Sequence, residues 1–315
     1  MAAVLALPLL PAQQPVTIRV PVRLVAAPTT VTAPSGRFIN DLQLPDFLLD
    51  DNGQRQQLYQ EFRNQPISLV VAVQANHGMQ PVKQHIGRIA SVIETLIMGQ
   101  GGEAAVVAFG DSVRTIEVFT ADGEKLRRAL QAIDCSHSRS RLVDAVVHSV
   151  DLLKTRPSNR RRVVLLFCER RDDGSEAKLR EAITQAELNN VIIYSLDVAR
   201  LHAWASNAAA APANTSGIDL KTSIAELYRG VRSLSGNNPV GVLTGYTGGR
   251  EYSFYRLRAL EDALTLVGEE LHGQYLLSYM PANPTPGYHE IQVRVSRSGA
   301  LVRSRPGYWL FEESH

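Results

Sequence analysis

Four short stretches of this 315-residue sequence contain side chains that could do chemistry. His77 could serve as a metal ligand or a general base, and Cys168, at the end of an apolar run, could serve as a nucleophile. The Asp-Asp-Gly run at 172–174 could begin a calcium loop, and the triple-arginine run at 160–162 could form a basic patch. No base for the thiol and no repeating oxygen spacing is visible. The sequence therefore favours a solvated histidine, a packed thiol, a turn before a helix and a solvated loop.

The sequence also lacks the motifs that identify common enzyme classes. It contains no Gly-x4-Gly-Lys phosphate loop, no Gly-x-Ser-x-Gly nucleophile elbow and no Gly-x-Gly-x-x-Gly dinucleotide motif. Pairs of Asp and Glu occur, but none is set apart by its surroundings as a glycosidase pair would be. We therefore expect a protein that is not an enzyme.

Composition narrows the class further. Hydrophobic residues make up 44% and charged residues 20% of the chain, which is ordinary for a globular protein and excludes a mainly disordered one. The 33 basic and 31 acidic residues leave a net charge of +2, so no basic excess favours nucleic acid as a partner. The two cysteines, Cys135 and Cys168, exclude a disulfide scaffold and any cysteine-based zinc or iron–sulfur cluster.

The chain begins with a short apolar leader, and the segments near both of its ends have the pattern of β-structure. Residues 1–12 are much shorter than the roughly 20 residues that span a bilayer, and they resemble the core and cleavage end of a truncated signal peptide. They predict a secreted or periplasmic protein, and no later segment is apolar enough to cross a membrane. Residues 16–63 and 274–310 are rich in β-branched residues, alternation and turn signals, so we expect them to pair into a β-sandwich-like subdomain.

Residues 64–273 predict an α/β domain. The continuous apolar run at 66–73 is typical of a buried parallel strand, and helical periodicity follows at 81–98. Strand and helix patterns then alternate, with strands expected at 104–109, 113–119, 162–167 and 191–196, and helices at 122–132, 141–154, 176–188, 222–234 and 257–271. The alternation predicts a doubly wound, mostly parallel sheet covered on both faces. An alanine-rich stretch at 201–217 interrupts the pattern and is expected to be an insertion.

The order of these segments resembles the von Willebrand factor A domain and, more narrowly, the bacterial VWFA-related family first described in acidobacteria. The resemblance covers nearly all of the chain after the leader. No single segment is specific, but their order and spacing together are. The segments are Asp46-Phe47 with Asp51-Asn52-Gly53, the strand 66–73 ending in Asn76-His77-Gly78-Met79, Ser140-Arg141-Leu142-Val143-Asp144-Ala145, Leu165-Leu166 through Asp173-Gly174-Ser175, Thr247-Gly248-Gly249-Arg250, and Tyr275-Leu276-Leu277-Ser278-Tyr279 through Arg305-Pro306-Gly307-Tyr308-Trp309.

The resemblance implies a ligand-binding rim at the carboxyl ends of the strands, where such domains commonly hold a magnesium ion with an Asp-x-Ser-x-Ser loop, a Thr and an Asp. Here Gln74, Asn76 and Gly78 fall at the Asp, Ser and Ser positions. Ser140 falls at the Thr position and keeps a hydroxyl, and Glu169 falls at the last Asp position and keeps a carboxylate on a longer arm. This set predicts a degenerate adhesion site without metal.

Two further features belong to the same rim. Arg170 and Arg171 follow Glu169 directly, so we expect a guanidinium to compete with a cation for that carboxylate, and an acidic partner to meet guanidinium in place of metal. His77 lies in the first loop and completes the expected partner-binding surface.

The sequence thus predicts a non-catalytic, exported protein-binding or adhesion-type module. Two alternatives stay open: a periplasmic hydrolase with an unrecognised site, and a structural component of a cell-envelope complex. A hydrolase would require His77, Glu169 and Ser140 or Cys168 to converge within hydrogen-bonding distance in a closed cleft.

Overall fold

The computed structural model describes residues 24–61, 65–83, 86–198, 238–253 and 257–310. The predicted signal peptide, the predicted insertion at 201–217 and the predicted helix at 222–234 lie outside these residues.

Apolar segments of the middle of the chain form a six-stranded sheet. Its strands are β5 (Ile67–Gln74), β6 (Glu103–Phe109), β7 (Val113–Thr120), β8 (Arg161–Cys168), β9 (Val191–Asp197) and β10 (Glu251–Ser253). Their order is β10-β9-β8-β5-β6-β7, and every neighbouring pair is parallel except the β6–β7 hairpin. Both faces of β5 are buried, as the unbroken apolar run requires.

Helices cover both faces of this sheet. They are α1 (Gln80–Lys83), α2 (Ile86–Val92) continuing as a π-helical segment (Ile93–Met98), α3 (Gly123–Gln131), α4 (Leu142–Lys154), α5 (Leu179–Leu188), α6 (Pro239–Thr247) and α7 (Leu257–Gly273). On one face α2, α3 and α7 pack against Leu69 and Val71 of β5. On the other face α4, α5 and α6 pack against Val70 and Ala72. Side chains that alternate along each strand thus fill two separate cores.

The two chain ends form a β-sandwich. One sheet has the order β13-β1-β11-β4 and the other has the order β14-β12-β2-β3. The strands are β1 (Val25–Thr32), β2 (Phe47–Asp51), β3 (Gln54–Arg55), β4 (Leu58–Glu61), β11 (Tyr275–Tyr279), β12 (Gly287–Val295), β13 (Leu301–Ser304) and β14 (Gly307–Leu310). A third apolar core lies between the sheets. The predicted fold class, a doubly wound mostly parallel sheet with a sandwich built from both ends, is confirmed.

The Asn-Gly pair closes the β2–β3 hairpin as expected. Asn52 has φ 48° and Gly53 has φ 77°, the two positive values that a type I′ turn requires.

One helix was missed and one interpretation of the sequence was wrong. Helix α6 was not predicted, because nearly all of its residues are buried and it shows no polar stripe. The run 160–162 is not a solvated loop: Arg161 is buried and donates to the Leu271 carbonyl and the Gln274 side chain. Near the C-terminal end, Arg305 is buried and the Arg303 side chain is 13% exposed, whereas the Arg294 side chain is 54% exposed.

Candidate functional site

The rim is built from loops that leave the carboxyl ends of β5 and β8. Gln74 ends β5 and is buried, and its Oε1 accepts a hydrogen bond from the Glu169 backbone amide at 2.8 Å. This bond joins the first loop to the loop after β8. At the position where the resemblance implies an aspartate, a carboxamide oxygen thus accepts a backbone hydrogen bond.

A third loop, residues 134–140, packs against the first. His137 donates its backbone amide to the Ala75 carbonyl at 3.0 Å and forms an isolated bridge with Asn76. The β6–β7 turn approaches from the other side: Asp111 carboxylate oxygens lie 3.1 Å from His137 Nδ1 and 3.2 Å from the Arg139 amide. A Cβ on Gly110 would lie 2.6 Å from the His137 Cβ, so only glycine permits this approach.

Ser140 and the acidic run after β8 are tied together. The Ser140 amide donates to Asp173 Oδ1 at 2.6 Å, and the Asp173 amide donates back to the Ser140 carbonyl at 3.0 Å. Asp172 Oδ1 accepts from the Leu142 amide at 2.9 Å and the Val143 amide at 3.4 Å, at the first turn of α4. Arg141, which precedes that helix, supplies no side-chain cap. Asp172 is therefore a cap supplied from another loop.

Asp144 of helix α4 forms a second set of hydrogen bonds to the segment after β8. Its carboxylate accepts from the Glu176 amide at 3.1 Å and the Ala177 amide at 2.8 Å, and it also pairs with Arg141 at 2.8 Å. The sequence pattern at 172–174 indicated a turn but not the role of these aspartates in joining the rim loops. A signal was present in the clustering of short acidic residues beside a helix start that has no cap of its own.

The two rim arginines differ in environment. Arg170 donates through Nε to Glu251 Oε1 at 2.6 Å and lies 3.4 Å from Asp197 Oδ2, both of them buried acids of neighbouring strands. It therefore places a positive charge beside both acids at the end of the β9–β10 pair. Arg171 pairs with Asp173 at 2.9 Å, and its side chain is 74% exposed. Arg170 thus has buried acidic partners although its side chain is 42% exposed, and both guanidinium groups stay predicted partner-binding positions.

Two rim oxygens have no hydrogen-bond partner among the described residues: Asn76 Oδ1 and Ser140 Oγ. Ser140 is 2% exposed. His77 is exposed, and Gly78 lies in the short 3-10 turn His77–Met79.

Cys168 lies beneath the rim, with its Sγ 3.6 Å from Ser195 Oγ. It is 1% exposed, and burial raises its pKa, so the thiol is neutral and sealed from solvent. Cys135 is also a buried free thiol whose pKa is raised by burial. Neither has the environment of a nucleophile.

Four rim carboxylates and the Gln74 carboxamide oxygen already accept hydrogen bonds from the protein. Magnesium requires hard oxygens that are free to coordinate, including a carboxylate. The carboxylates of Asp111, Asp144, Asp172 and Asp173 accept backbone amides, and the Gln74 oxygen accepts the Glu169 amide. Within the described ranges, no three His, Cys, Asp or Glu side chains are arranged to hold a metal.

Residues 72–174, which carry the end of β5, strands β6 to β8 and most of these loops, match the von Willebrand factor type A domain family. The central domain has the von Willebrand A-like fold. No curated protein sequence matches the chain. In the described segments no helix is long and apolar enough to span a membrane.

Solved structures that are similar to this chain include three from bacteria. The conserved hypothetical protein BatB of Bacteroides thetaiotaomicron is 14% identical, with 65% of this chain and 98% of that one covered at a TM-score of 0.44. An aerotolerance-related membrane protein of Bacteroides fragilis is 12% identical, with the same coverage and TM-score. A von Willebrand factor type A structure from Catenulispora acidiphila is 10% identical, with 88% of this chain and 76% of that one covered at a TM-score of 0.47.

Proposed function

We propose that this von Willebrand A-like protein is a non-catalytic, exported protein-binding module whose rim binds its partner without a metal. The observation that carries the proposal is the use of the Asp172 and Asp173 carboxylates and of the Gln74 carboxamide oxygen as internal hydrogen-bond acceptors. Loops that a bridging cation would otherwise hold are joined by Gln74 to Glu169, by Ser140 to Asp173 and by Asp172 to helix α4. The rim is therefore preorganised, which lowers the ordering cost of binding.

The exposed part of the rim suits an acidic partner. Arg171 and His77 face solvent, and the Arg171–Asp173 pair is a surface ion pair of the kind that contributes little to stability. A carboxylate of a partner can replace Asp173 at this guanidinium and can accept two parallel hydrogen bonds. Arg170 is a positioning residue in this account, since buried acids hold it.

The test is site-specific photo-cross-linking in the native envelope fraction, carried out in EDTA. A photoreactive residue replaces His77 or Arg171 in two rim variants and Leu301 in the control, which is exposed on the sandwich. We expect the same cross-linked protein from both rim variants and not from the control. Cross-linking that is equal at Leu301, or that requires added magnesium, contradicts the proposal.

Once a partner is known, Arg171 gives a sharper test. Arg171→Ala should weaken binding about tenfold, which corresponds to about 1.4 kcal/mol, and Arg171→Lys should restore only part of it. Arg114→Ala, at an exposed site on β7, is the matched control and should bind normally. Unchanged affinity of Arg171→Ala would remove the acidic-partner part of the proposal.

The amount of cross-linked partner also distinguishes this function from a purely structural role in the envelope. A binding module should cross-link to its partner in a stoichiometry that changes with partner abundance. A fixed component of an envelope complex should keep a constant stoichiometry, and fractionation of the host tests export in the same experiment.

A further inference from the structure

A second polar site lies far from the rim, between helix α5 and the sandwich. A pocket of about 80 Å³ opens there, and Glu187 from the end of α5 and Arg305 from just before β14 both line it. Leu24, Leu188 and Trp309 line the same pocket, and the two leucines are exposed to solvent. The pocket thus combines an apolar border with two charged groups of opposite sign.

Glu187 is buried with few hydrogen-bond donors around it. It is 7% exposed, and no described group meets full hydrogen-bond geometry to either carboxylate oxygen, although the Trp309 amide is directed at the carboxylate. Burial raises the pKa of this carboxyl to about 8, although the Arg305 charge and the Trp309 backbone amide act in the opposite direction. A carboxylate in this position lacks the donors that would solvate it.

Arg305 is the complementary group. It is 4% exposed, its Nε has no partner among the described residues, and its guanidinium lies 5.6 Å from the centre of the Tyr308 ring. Burial lowers its pKa, although the Glu187 charge opposes the change. Both members of the pair therefore border one small pocket and leave hydrogen-bonding capacity unused.

We infer that this pocket binds the zwitterionic backbone of a small free α-amino acid, with its ammonium group on Glu187 and its carboxylate on Arg305. Such a ligand carries a donor cation and an acceptor anion side by side, and it satisfies both buried groups at once. A simple anion or a simple cation satisfies only one of them. The small volume favours a small side chain, which would pack against Leu24 and Leu188.

The binding should depend on pH. The carboxyl must ionise to receive an ammonium group, so binding below pH 8 releases a proton and the apparent affinity should rise about tenfold from pH 6 to pH 7. The other groups that face Glu187 are the Arg305 guanidinium, the Trp309 amide and the Tyr246 hydroxyl. Burial raises the pKa of Tyr246, so this hydroxyl stays neutral throughout that window.

Isothermal titration of the full chain with glycine tests the inference. Acetate and methylammonium serve as the two half-ligands, and triglycine separates a free amino acid from a peptide, whose terminal charges lie too far apart. We expect one saturable glycine site, with each half-ligand and triglycine at least about tenfold weaker. At pH 7 the measured heat of glycine binding should differ between buffers of different ionisation enthalpy, because the buffer takes up the proton that Glu187 releases.

Variants complete the test. Glu187→Gln and Arg305→Lys, each confirmed as folded by circular dichroism, should lose at least about tenfold in glycine affinity, and Glu187→Gln should also lose the proton release. Glu181→Gln on the same helix and Arg114→Gln on β7 alter exposed charges and should bind normally. The inference is overturned if the folded protein shows no saturable binding up to about 10 mM glycine, as a water-filled pocket would give, or if folded Glu187→Gln binds glycine as well as the original chain.

Discussion

Glu187 makes the folding stability depend on pH whether or not a ligand binds. Burial raises the pKa of this carboxyl to about 8 in the folded state, from an ordinary value of 4.5. Below pH 4.5 both states are protonated. Between pH 4.5 and 8 only the unfolded chain has lost the proton, so stability is lost as the pH rises through this range. The full difference corresponds to roughly 5 kcal/mol at most.

We predict that Glu187→Gln removes this loss. The variant should be similar to the original chain in urea unfolding at pH 4 and more stable than it at pH 9. Glu181→Gln, on the exposed side of the same helix, should follow the original chain at both values. A Glu187→Gln curve parallel to that of the original chain across this range would show that the carboxyl titrates normally.

At the residue scale, the sequence indicated which side chains could do chemistry, but it did not indicate which of them are buried. Arg161 lies in a run of three arginines and was interpreted as solvated, yet it donates to Leu271 and Gln274, more than a hundred residues away. His77 and Cys168 were interpreted correctly as exposed and packed, because a turn and the end of an apolar strand determine these states locally.

Helix α4 depends on a cap that belongs to another loop. Asp172 accepts the amides of Leu142 and Val143 and a hydroxyl bond from Ser175. Asp172→Ala should cost about 1–2 kcal/mol of unfolding free energy and should speed hydrogen exchange at those two amides. Asp151→Ala, which removes an exposed pair with Lys154 near the other end of α4, should cost less than about 0.5 kcal/mol.

Equal costs for the two variants would contradict the capping account, and normal exchange at Leu142 and Val143 in Asp172→Ala would do so directly.

At the scale of the secondary-structure elements, the sequence predicted most of the central strands to within one or two residues, because unbroken apolar runs identify them. Helix α6 was missed for want of periodicity, although Asn238 before it, Pro239 at its first turn and a left-handed Gly248 after it are ordinary boundary signals.

A buried charge network joins the α/β domain to the sandwich. Glu270 of α7 is fully buried and accepts from the Tyr194 hydroxyl at 2.7 Å, the Tyr252 hydroxyl at 3.3 Å and the Arg303 guanidinium of β13. Burial by itself raises the pKa of Glu270, but Arg303, Arg250 and the Tyr194 hydroxyl outweigh it and lower the pKa below its ordinary value. The carboxylate therefore stays charged.

Glu270→Gln should cost about 3–5 kcal/mol because it leaves a buried guanidinium unpaired. The double variant with Arg303→Gln should be less destabilised than the sum of the single variants. Glu261→Gln on the same helix removes an exposed pair with Arg88 and should cost less than about 1 kcal/mol. Denaturant unfolding measures all four, and additive effects of Glu270 and Arg303 would contradict a direct coupling.

At the scale of the whole molecule, the sequence predicted that both chain ends share one sandwich, because neither end has enough strands for a core of its own. It could not predict that arginines from the C-terminal strands are buried against the α/β domain. Glu270, which pairs with Arg303, lies 33 residues away on helix α7. The periodic pattern of that helix indicates which face is buried, but it does not indicate which element packs against that face.

The claim that the rim binds its partner without a metal is tested most directly by one pair of measurements. The dissociation constant for the cross-linked partner is determined in magnesium and again in EDTA. Because internal hydrogen bonds hold the loops and use the rim carboxylates, the two values should agree within about twofold. A loss of about tenfold or more in EDTA, reversed by magnesium, would contradict the account.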